Sequence, residues 1–442
     1  MNTKNNGVFA KLMKTLSAIE PNEIKATALS FLFVFTLMAA YYPLRNVRDA
    51  MASNWTDPEI SWLWTLNFFI STAIVAIYGF AVTRVPFKKL VPSIYIFFSA
   101  SFVLFFVATV GSERTVLVDK AYYVWISVFA LLHLSVFWSF MADIYSKNQA
   151  SRLFGLFAGA ASLGAIFGPL MTATLGQSLG IGGLMLVSAV MLLIPIPIIL
   201  VLDRLKTTEL GNADHSLDTE QAKIGGNPLK GFVDFFTNPY LLGIGGFLIL
   251  YTGIGTFVYF QQVDLLRAIE DEARRASIYG YRDAIVNTLT YVLAFFVTGR
   301  LVTKLGMPTA LAIVPAVLIF GMAILAFTPV LLAAVTMHVA LRAGNYGLTR
   351  PSREMLFTVV DREERFKAKP VIDIVVYRGG DVMMGWFYTL LSTGLGLGLA
   401  AIAAVGALVA ALWAFVGIKL GQSFDRRDKP VDSPAPLADS EI

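Results

Sequence analysis

Residues 342–381 read RAGNYGLTRPSREMLFTVVDREERFKAKPVIDIVVYRGGD and lie between long apolar runs. This stretch holds 14 of the 65 Asp, Glu, Lys and Arg residues of the chain, and its ends enter the apolar runs on either side. Charged side chains are costly within segments long enough to cross a membrane, so they usually face the protein interior or a water-filled cavity. The pattern therefore indicates membrane-spanning helices that place charge inside a protein.

The composition of the whole chain supports a polytopic helical membrane protein. Of its 442 residues, 56% are hydrophobic and 15% are charged, and the mean hydropathy is +0.67. A soluble domain carries about 25% charged residues. The chain has no cysteine, which excludes disulfides, zinc–thiolate sites and thiol nucleophiles.

Motifs of enzymes and cofactor sites are missing from the sequence. It contains neither G-x-x-x-x-G-K-[ST] nor H-E-x-x-H, and it has three histidines in all. The chain therefore has no ATPase loop of its own and little with which to build a metal site. We expect a protein that is not an enzyme, binds no cofactor or metal, and is driven by solute gradients or exchange.

Twelve segments meet the requirement of about 20 apolar residues for a membrane-spanning helix. The predicted spans are residues 25–45, 60–83, 90–111, 122–142, 153–176, 181–202, 238–261, 282–303, 308–328, 329–351, 370–393 and 398–420. The ninth and tenth meet at Thr328 and Pro329 with almost no loop. An even number of spans puts both termini on one side of the membrane.

The placement of Lys and Arg predicts which side that is. If the N-terminus is cytoplasmic, the cytoplasmic segments hold 23 Lys and Arg residues and the opposite side holds 8. Cytoplasmic loops are enriched in these residues, so we expect both termini in the cytoplasm. The segment 1–20 is polar and no small-residue cleavage site follows it, which predicts a retained N-terminus. The expected location is a bacterial inner membrane.

A polar stretch between the sixth and seventh spans divides the chain. We expect a six-helix half over residues 1–206, a cytoplasmic linker over 207–236, a second six-helix half over 237–422 and a disordered cytoplasmic tail over 423–442. The linker is rich in Asp, Asn, Gly and Thr, as loops are. The Pro-Asp-Ser run of the tail is typical of disorder.

The two halves show a weak internal repeat. Thr83 and the basic residue after it recur as Thr303 and its basic neighbour, and Asp143 recurs as Asp361 at nearly the same offset along the chain. Two six-span halves in parallel resemble the plan of the major facilitator superfamily. The predicted fold class is thus an all-α polytopic membrane protein with twelve transmembrane helices in two halves. The G-x-x-x-D-R-x-G-R loop motif of that superfamily is degenerate here, because Thr replaces its Asp at 83 and 303.

The first span ends with a charged face formed by Arg45, Arg48 and Asp49, at the spacing i, i+3, i+4. One interpretation is an electropositive patch at the outer mouth of a substrate cavity. The other is an interfacial cluster just outside the bilayer, because the roughly 19 apolar residues before Arg45 already nearly cross the hydrocarbon core.

The second and eighth spans carry polar faces of their own. Asp283 and Asn287 share a face of the eighth span, and Asn67 with Ser71 forms a similar face in the second. Asp283, Asn287 and Asn67 are candidates for substrate binding. The alternative is that they link helices by hydrogen bonds, as Asn and Ser often do in membranes.

The tenth span carries His338, Arg342 and Asn345 on one stripe. Arg342 lies about 20 Å from Pro329 at helical rise, which is too deep for its charge to reach that end of the span, and several residues remain before the other end. We interpret the stripe as substrate-binding. The alternative is a structural arginine that caps the carbonyls of a helix broken near Pro351.

The eleventh span carries Asp373, Tyr377 and Asp381 at i, i+4, i+8, with Arg378 on an adjoining face. Asp381 lies about 16 Å from Pro370, close to the membrane midplane. Its expected partners are Arg378 and Arg342. Such an ion pair is either structural, or broken by an anionic substrate or by a proton on Asp381.

Two further segments are interpreted as structural. Residues 264–280 are charged and helix-prone, which predicts an outer surface helix with no chemistry. The fifth span contains two Gly-x-x-x-Gly pairs, Gly155 with Gly159 and Gly164 with Gly168, and these are signals for close helix packing.

Three blocks of the chain resemble bacterial members of the ATP/ADP antiporter (nucleotide transporter) family, which is allied to the major facilitator fold. They are residues 342–354 with 376–381, residues 44–49 (LRNVRD, against Leu-Arg-x-x-Lys-Asp in the family), and residues 137–143 (FWSFMAD) with 152–155 (RLFG). The resemblance covers all twelve spans. It implies exchange or import of a phosphorylated, nucleotide-like anion by alternating access, with Arg45, Arg48 and Asp49 in the cavity.

Three hypotheses of function follow. The first is transport of a small anionic solute by alternating access, with ATP/ADP exchange as its specific form. The second is proton-coupled import of a non-nucleotide metabolite, such as an organic acid, a peptide or a siderophore-like compound, with Asp381 as the titrating group. The third is a non-transporting membrane sensor or assembly factor. As partners we expect the solute, the lipid bilayer and, in the second case, protons; we expect a monomer that binds no nucleic acid.

Overall fold

The protein was analysed as a computed structural model, which describes residues 19–82, 85–110, 114–212, 230–296, 298–361, 368–369 and 371–428. Most of the predicted linker (213–229), most of the predicted tail (429–442), the N-terminal segment 1–18 and the loop at Thr83 lie outside the described residues. Within the described ranges, the regular structure is entirely helical.

Every predicted span coincides with helical backbone over most of its described length. The α-helices are Ile24–Ala52, Asp57–Val82, Phe87–Val110, Val116–Ile144, Lys147–Met191, Pro195–Thr208, Lys230–Thr237, Pro239–Leu266, Glu272–Phe296, Thr298–Phe327, Leu331–Gly344, Arg350–Leu356, Tyr377–Thr389 and Leu399–Arg427. Short 3₁₀ turns cover Pro21–Glu23 and Phe357–Val359, and π-helical turns cover Asn345–Thr349, Val371–Val376 and Leu390–Gly394.

Local sequence explains several helix ends. The side-chain oxygen of Ser146 accepts a hydrogen bond from the Gln149 N–H, and the Gln149 side chain accepts one from the Ser146 N–H, which is a capping box. The fifth span and the first part of the sixth lie in the segment Lys147–Met191, whose helical backbone is interrupted at Gly180, where φ is 66°. Gly306, with φ of 77°, makes the corresponding break before the ninth span. Both positions need the left-handed backbone that glycine adopts without strain.

Seven helical segments among the described residues are long and apolar enough to cross a membrane, judged by length and composition. One of them, Arg152–Thr208, contains both the fifth and the sixth predicted span, so the seven account for eight spans. The remaining four are the second, eighth, tenth and eleventh. These are the spans on which the sequence places Asn67, Asp283, Arg342 and Asp381.

The first helix continues to Ala52, so Arg45, Arg48 and Asp49 lie on a helix, as their spacing predicts, beyond the predicted end of the span at residue 45. The structure corrects the prediction for residues 264–280, which are not a separate surface helix: Pro239–Leu266 ends there, a turn follows, and Glu272–Phe296 begins. Arg275 in this segment is only 2% exposed, and its guanidinium donates to Asn54 Oδ1.

Two compact units are distinguished by their internal contacts. Unit 1 comprises Met1–Ile224, Tyr259–Leu289 and Gly385–Gly396, and unit 2 comprises Gly225–Val258, Thr290–Met384 and Leu397–Ile442. Unit 1 therefore includes parts of the seventh, eighth and eleventh spans. On the predicted topology these parts lie at the outer side, opposite the termini.

In unit 1, the first helix packs on the fifth span through Gly164 and Gly168. A Cβ atom built on Gly164 would lie 2.3 Å from the Phe35 carbonyl oxygen, and one on Gly168 would lie 2.7 Å from the Ala39 oxygen. Only glycine permits this approach. No atom of the described residues lies within 4 Å of a Cβ built on Gly155 or Gly159, so the packing prediction for that pair is wrong.

The two pairs give a matched test of helix packing. Gly164→Ala should destabilise the protein by about 1–3 kcal/mol because the added methyl group meets backbone atoms of the first helix. Gly159→Ala should be neutral or stabilising by up to about 1 kcal/mol, because alanine favours the helix and meets no atom. Unfolding of the purified variants in mixed detergent micelles measures both. Equal stability of the two variants would contradict the packing.

Candidate functional site

Five charged side chains of the first and eighth spans form one ion-pair network in unit 1, which we call the outer network. Its members are Arg45, Arg48, Asp49, Arg282 and Asp283. Arg48 Nη2 lies 2.6 Å from Asp49 Oδ1, and Arg282 Nη2 lies 2.8 Å from Asp283 Oδ1. Cross-contacts join the two pairs, with Arg282 Nη2 at 3.5 Å from Asp49 Oδ2 and Arg45 Nη1 at 3.6 Å from Asp283 Oδ2.

The network lies in the protein interior. The side chains of Arg282, Asp49 and Asp283 are 0%, 2% and 4% exposed, whereas those of Arg48 and Arg45 are 15% and 21% exposed. These side chains therefore face other helices of unit 1 rather than open solvent. The choice between a cavity patch and an interfacial cluster stays a prediction.

Neutral groups hold the arginines in position. Arg282 donates to Gln262 Oε1 at 3.1 Å, and its guanidinium lies 4.5 Å from the centre of the Tyr279 ring. Arg48 donates to Ser127 Oγ at 3.3 Å. Hydrogen bonds to charged groups are stronger than those between neutral groups, so these contacts fix the planes of both guanidinium groups.

Sequence reasoning missed Arg282, Gln262 and Tyr279. Arg282 stands at the predicted start of the eighth span, so it is one of the eight Lys and Arg residues assigned to the side opposite the termini. Its neighbour Asp283 was selected on helical spacing, and the adjacency of an Arg to a selected Asp was the available signal. Gln262 and Tyr279 carried no pattern that distinguishes them from packing residues.

The neutral candidates in unit 1 make hydrogen bonds that link or brace helices. Asn287 donates to the Ala165 carbonyl at 2.6 Å and accepts from the Tyr42 hydroxyl at 3.2 Å. Asn67 accepts from Ser71 Oγ, one turn along the same helix, at 3.0 Å. The contacts of Asn287 match the helix-linking alternative, whereas the printed contact of Asn67 stays within its own helix. The proposed role of both residues in substrate binding stays a prediction.

Further ion pairs join helix ends in unit 1. Arg114 binds Asp119 and Glu272, at 2.8 Å to an oxygen of each. Lys120 lies 2.6 Å from Glu59, and this hydrogen bond, with one from the Thr56 N–H, lowers the pKa of Glu59 to about 2. Stability from the lowered pKa is present above about pH 4 and is lost as the pH falls towards 2.

In unit 2, a second polar group surrounds Tyr251 of the seventh span, and we call it the tyrosine group. Asn345 Nδ2 donates to the Tyr251 hydroxyl at 3.0 Å, and Arg342 Nη1 lies 3.5 Å from the hydroxyls of both Tyr251 and Tyr346. The rings of Tyr251 and Tyr377 are 6.4 Å apart. The group thus joins residues of the seventh, tenth and eleventh spans.

A π-helical turn at Asn345–Thr349 shapes the tenth span. The Arg350 N–H bonds to the Asn345 carbonyl, five residues back, in place of the usual four. Pro351 lacks an N–H and would leave a carbonyl of a regular helix without its donor, so a wide turn before it is expected. Such turns often occur at functional sites. The alternative of a helix broken near Pro351 is not found: the helical backbone continues through Pro351 with a wide turn before it.

The eleventh span begins with another π-helical turn, Val371–Val376, which alters the predicted stripe. The wide turn adds about one residue per turn to the helical repeat. Asp373 is paired with Arg353, at 3.0 Å, rather than grouped with Asp381.

Arg353 also lies 3.5 Å from Glu354, and Lys369 binds Glu354 at 2.5 Å. Burial raises the pKa of Glu354, but Lys369 and Arg353 outweigh it and hold that pKa below its ordinary value.

Asp381 and Arg378 lie at a close contact between the seventh and eleventh spans. A Cβ on Gly380 would lie 2.5 Å from Thr252 Oγ1, so glycine is needed between them. Arg378 and Arg342 are the cations whose charge acts on Asp381. Among the described residues, Asp381 makes no ion pair within 4.0 Å, so the expected pairs with these arginines are not formed in this structure. His338 is 2% exposed and lies in the same helix as Arg342.

Comparison with known proteins gives the family. A family model described as Major Facilitator Superfamily matches residues 26–361. The chain belongs to this superfamily. The predicted fold class is confirmed: the protein is an all-α, multi-pass membrane protein of the twelve-helix major facilitator type. Membership also makes it a transporter rather than an enzyme.

Solved structures of the superfamily share this fold. A bacterial homologue of the human lysosomal transporter Spinster, inward-facing and unoccupied, is 15% identical, with a TM-score of 0.57 over 94% of this chain and 100% of that chain. The nucleoside transporter NupG is 14% identical, with a TM-score of 0.59 over 91% and 99%. A POT family transporter bound to a thioalcohol-conjugated peptide is 12% identical, with a TM-score of 0.60 over 93% and 99%. No curated protein sequence matches the chain.

Removing one carboxylate tests the outer network of this superfamily member. Asp49→Asn would leave three buried or half-buried arginines with a single carboxylate, so we expect a loss of about 3–5 kcal/mol in the free energy of unfolding. The double variant Arg48→Gln/Asp49→Asn removes one charge of each sign and should recover part of that loss. Detergent-micelle unfolding of the purified variants gives both values.

Asp203→Asn is the control, because Asp203 pairs with Lys88, whose side chain is 61% exposed. Exposed pairs contribute at most about 1 kcal/mol. If Asp49→Asn is no more destabilising than Asp203→Asn, the network does not bear on stability.

Proposed function

We propose that the protein transports a small anionic solute by alternating access and that the tyrosine group of unit 2 binds the anion. The observation that carries this proposal is the setting of Arg342. Its guanidinium lies in the interior of the tenth span, 3.5 Å from the hydroxyls of Tyr251 and Tyr346. The side-chain amide of Asn345 donates a hydrogen bond to the Tyr251 hydroxyl. Arginine recognises carboxylate and phosphate groups through paired N–H donors.

The remaining members of the group supply orientation. Tyr377 contributes a ring beside Tyr251, and Arg378 adds a second cation on the eleventh span. Hydroxyl and amide donors fix the orientation of a bound anion, while the aromatic rings exclude water around it. His338 and Asp381 complete the set of residues that we assign to this site.

The specific form suggested by the sequence blocks at 44–49, 137–155 and 342–381 is nucleotide exchange of the ATP/ADP antiporter type. In this proposal, two six-helix halves over residues 1–206 and 237–422 rock about the bound anion. The protein acts as a monomer in a bacterial inner membrane, with both termini, the linker at 207–236 and the tail at 423–442 in the cytoplasm.

A second candidate function is proton-coupled import of a non-nucleotide anion, and Asp381 is the observation that favours it. Its side chain is half-buried, and it has no ion-pair partner within 4.0 Å among the residues that the structure describes. A carboxylate in such a setting can take up and release a proton. Arg378 and Arg342 would respond to its charge, which would link protonation to anion binding.

The site assignment is tested by Arg342→Gln. This variant should fold but lose uptake, because glutamine keeps hydrogen-bonding groups and removes the cation. Tyr251→Phe, which removes the hydroxyl that Asn345 and Arg342 contact, should lower uptake about tenfold, as expected for a lost hydrogen bond of roughly 1.4 kcal/mol to a charged group. The assay is uptake into proteoliposomes of a solute first identified by a thermal-shift screen of the purified protein.

Arg274→Gln is the matched control, because Arg274 is an exposed arginine at the start of the helix Glu272–Phe296. It should transport at the wild-type rate. Wild-type uptake by Arg342→Gln would overturn the assignment of the anion to this group.

Counterflow separates exchange from symport. Uptake of labelled ATP that depends on internal ADP and ignores a pH gradient would support nucleotide exchange. Uptake of another anion that requires an inward proton gradient, and becomes independent of that gradient in Asp381→Asn, would support the second function. Because the substituted amide cannot titrate, a proton-dependent rate that persists in Asp381→Asn would exclude Asp381 as the coupling group.

A further inference from the structure

The outer network of unit 1 holds more positive than negative charge. Three arginines, Arg45, Arg48 and Arg282, share two carboxylates, Asp49 and Asp283, so the formal sum of the five is +1. An uncompensated charge is costly in a protein interior unless a counter-charge is close. The network is therefore one negative charge short of neutrality.

The distances identify Arg45 as the surplus cation. Arg48 is held by Asp49 Oδ1 at 2.6 and 3.0 Å, and Arg282 by Asp283 Oδ1 at 2.8 and 2.9 Å. Arg45 lies 3.6 Å from Asp283 Oδ2 and 4.0 Å from Asp49 Oδ2. Both of these separations exceed hydrogen-bond length, so Arg45 is attracted by two carboxylates that already serve other arginines.

Arg45 is also the member of the network that a solute can reach. Its side chain is 21% exposed, against 15% for Arg48 and 0% for Arg282. A guanidinium offers five N–H donors. Those of Arg45 form no hydrogen bond to any residue that the structure describes, and the centre of the Tyr42 ring lies 5.8 Å from its guanidinium carbon.

A second observation is that three buried polar atoms of the network and its neighbour Gln262 have no hydrogen-bond partner among the described residues: the donors Arg282 Nη2 and Gln262 Nε2 and the acceptor Asp283 Oδ2. Gln262 is fully buried, and its Oε1 accepts from Arg282, but its Nε2 has no hydrogen-bond acceptor among the described residues. A buried donor without an acceptor costs about 1–3 kcal/mol. An anion at the network would add both the missing charge and an acceptor.

We propose that Arg45 is the binding point for one monovalent anion in unit 1. Chloride and a carboxylate group have the charge that the network requires, and the experiment below distinguishes these two sources. The proposal does not depend on the solute that the tyrosine group binds, because it concerns other residues in the other unit.

Anion-dependent thermal stability of the purified full-length protein tests this site. The protein is unfolded in detergent in sodium chloride, sodium acetate or sodium gluconate at equal ionic strength. Sodium gluconate is the reference salt, because its anion has the same charge but is too bulky for a site that accepts chloride or acetate. The wild type should unfold at a temperature about 1–3 °C higher in chloride or acetate than in gluconate, as expected for a ligand that binds only the folded state. A rise in chloride alone indicates an inorganic anion, and a rise in acetate as well indicates that a carboxylate group fits.

Three variants separate a bound anion from general salt effects. Arg45→Gln should lose the temperature rise, whereas Arg274→Gln, which removes an exposed arginine outside both groups, should keep it. Arg45→Lys retains the charge without the paired donors and should raise the half-saturating anion concentration roughly threefold or more. The last variant also decides the matter if Arg45→Gln fails to fold.

Three results would overturn the proposal. One is a wild-type protein that unfolds at the same temperature in all three salts. Another is a full temperature rise retained by Arg45→Gln. The third is an unchanged half-saturating concentration in Arg45→Lys.

Discussion

Asp49 is a carboxylate of the first span within reach of three guanidinium groups, and the arrangement of the outer part of unit 1 depends on it. Two unit charges about 4 Å apart interact by about 4 kcal/mol at the effective dielectric of a protein near its surface. Without such pairs, Arg48 and Arg282 could not lie in helices that the sequence makes otherwise apolar. Both arginines lie inside helices, because the first helix continues past Arg45 to Ala52 and the helix of the eighth span begins at Glu272.

The architecture could be predicted from sequence because the membrane imposes it. An apolar run of about 20 residues must be helical in hydrocarbon, since its backbone has no other source of hydrogen bonds. Helical spacing also identified Asp49 on the charged face of the first span and Asp283 on the polar face of the eighth. It placed Arg342 and Asn345 on one face of the tenth span. What spacing could not supply was the partner of each residue, because Arg282 meets Asp49 through a tertiary contact between distant parts of the sequence.

Three predictions were wrong because composition and spacing do not show tertiary contacts or local changes of the helical repeat. Gly155 and Gly159 have the spacing of a packing motif, but no described atom comes within 4 Å of a Cβ built at either position. Residues 264–280 have the composition of a surface helix, yet Arg275 is buried by its neighbours. Asp373 has the spacing of a stripe with Asp381, but the π-helical turn places it beside Arg353. Each depends on a neighbouring element or on a local change of helical repeat that composition does not encode.

If the tyrosine group binds the anion, as proposed, its own charge limits which anion that is. Arg342 and Arg378 contribute two positive charges, and Asp381, on which both act, contributes one negative charge when ionised. The surplus of one is enough for a carboxylate or a singly charged phosphate ester. A nucleoside triphosphate carries several negative charges and would leave most of them unpaired here, at a cost that rises steeply in a water-poor site. Protonation of Asp381 would raise the surplus to two, which suits a dianion. Charge balance at this group therefore favours a solute with one or two negative charges over ATP, and makes the second charge conditional on the proton.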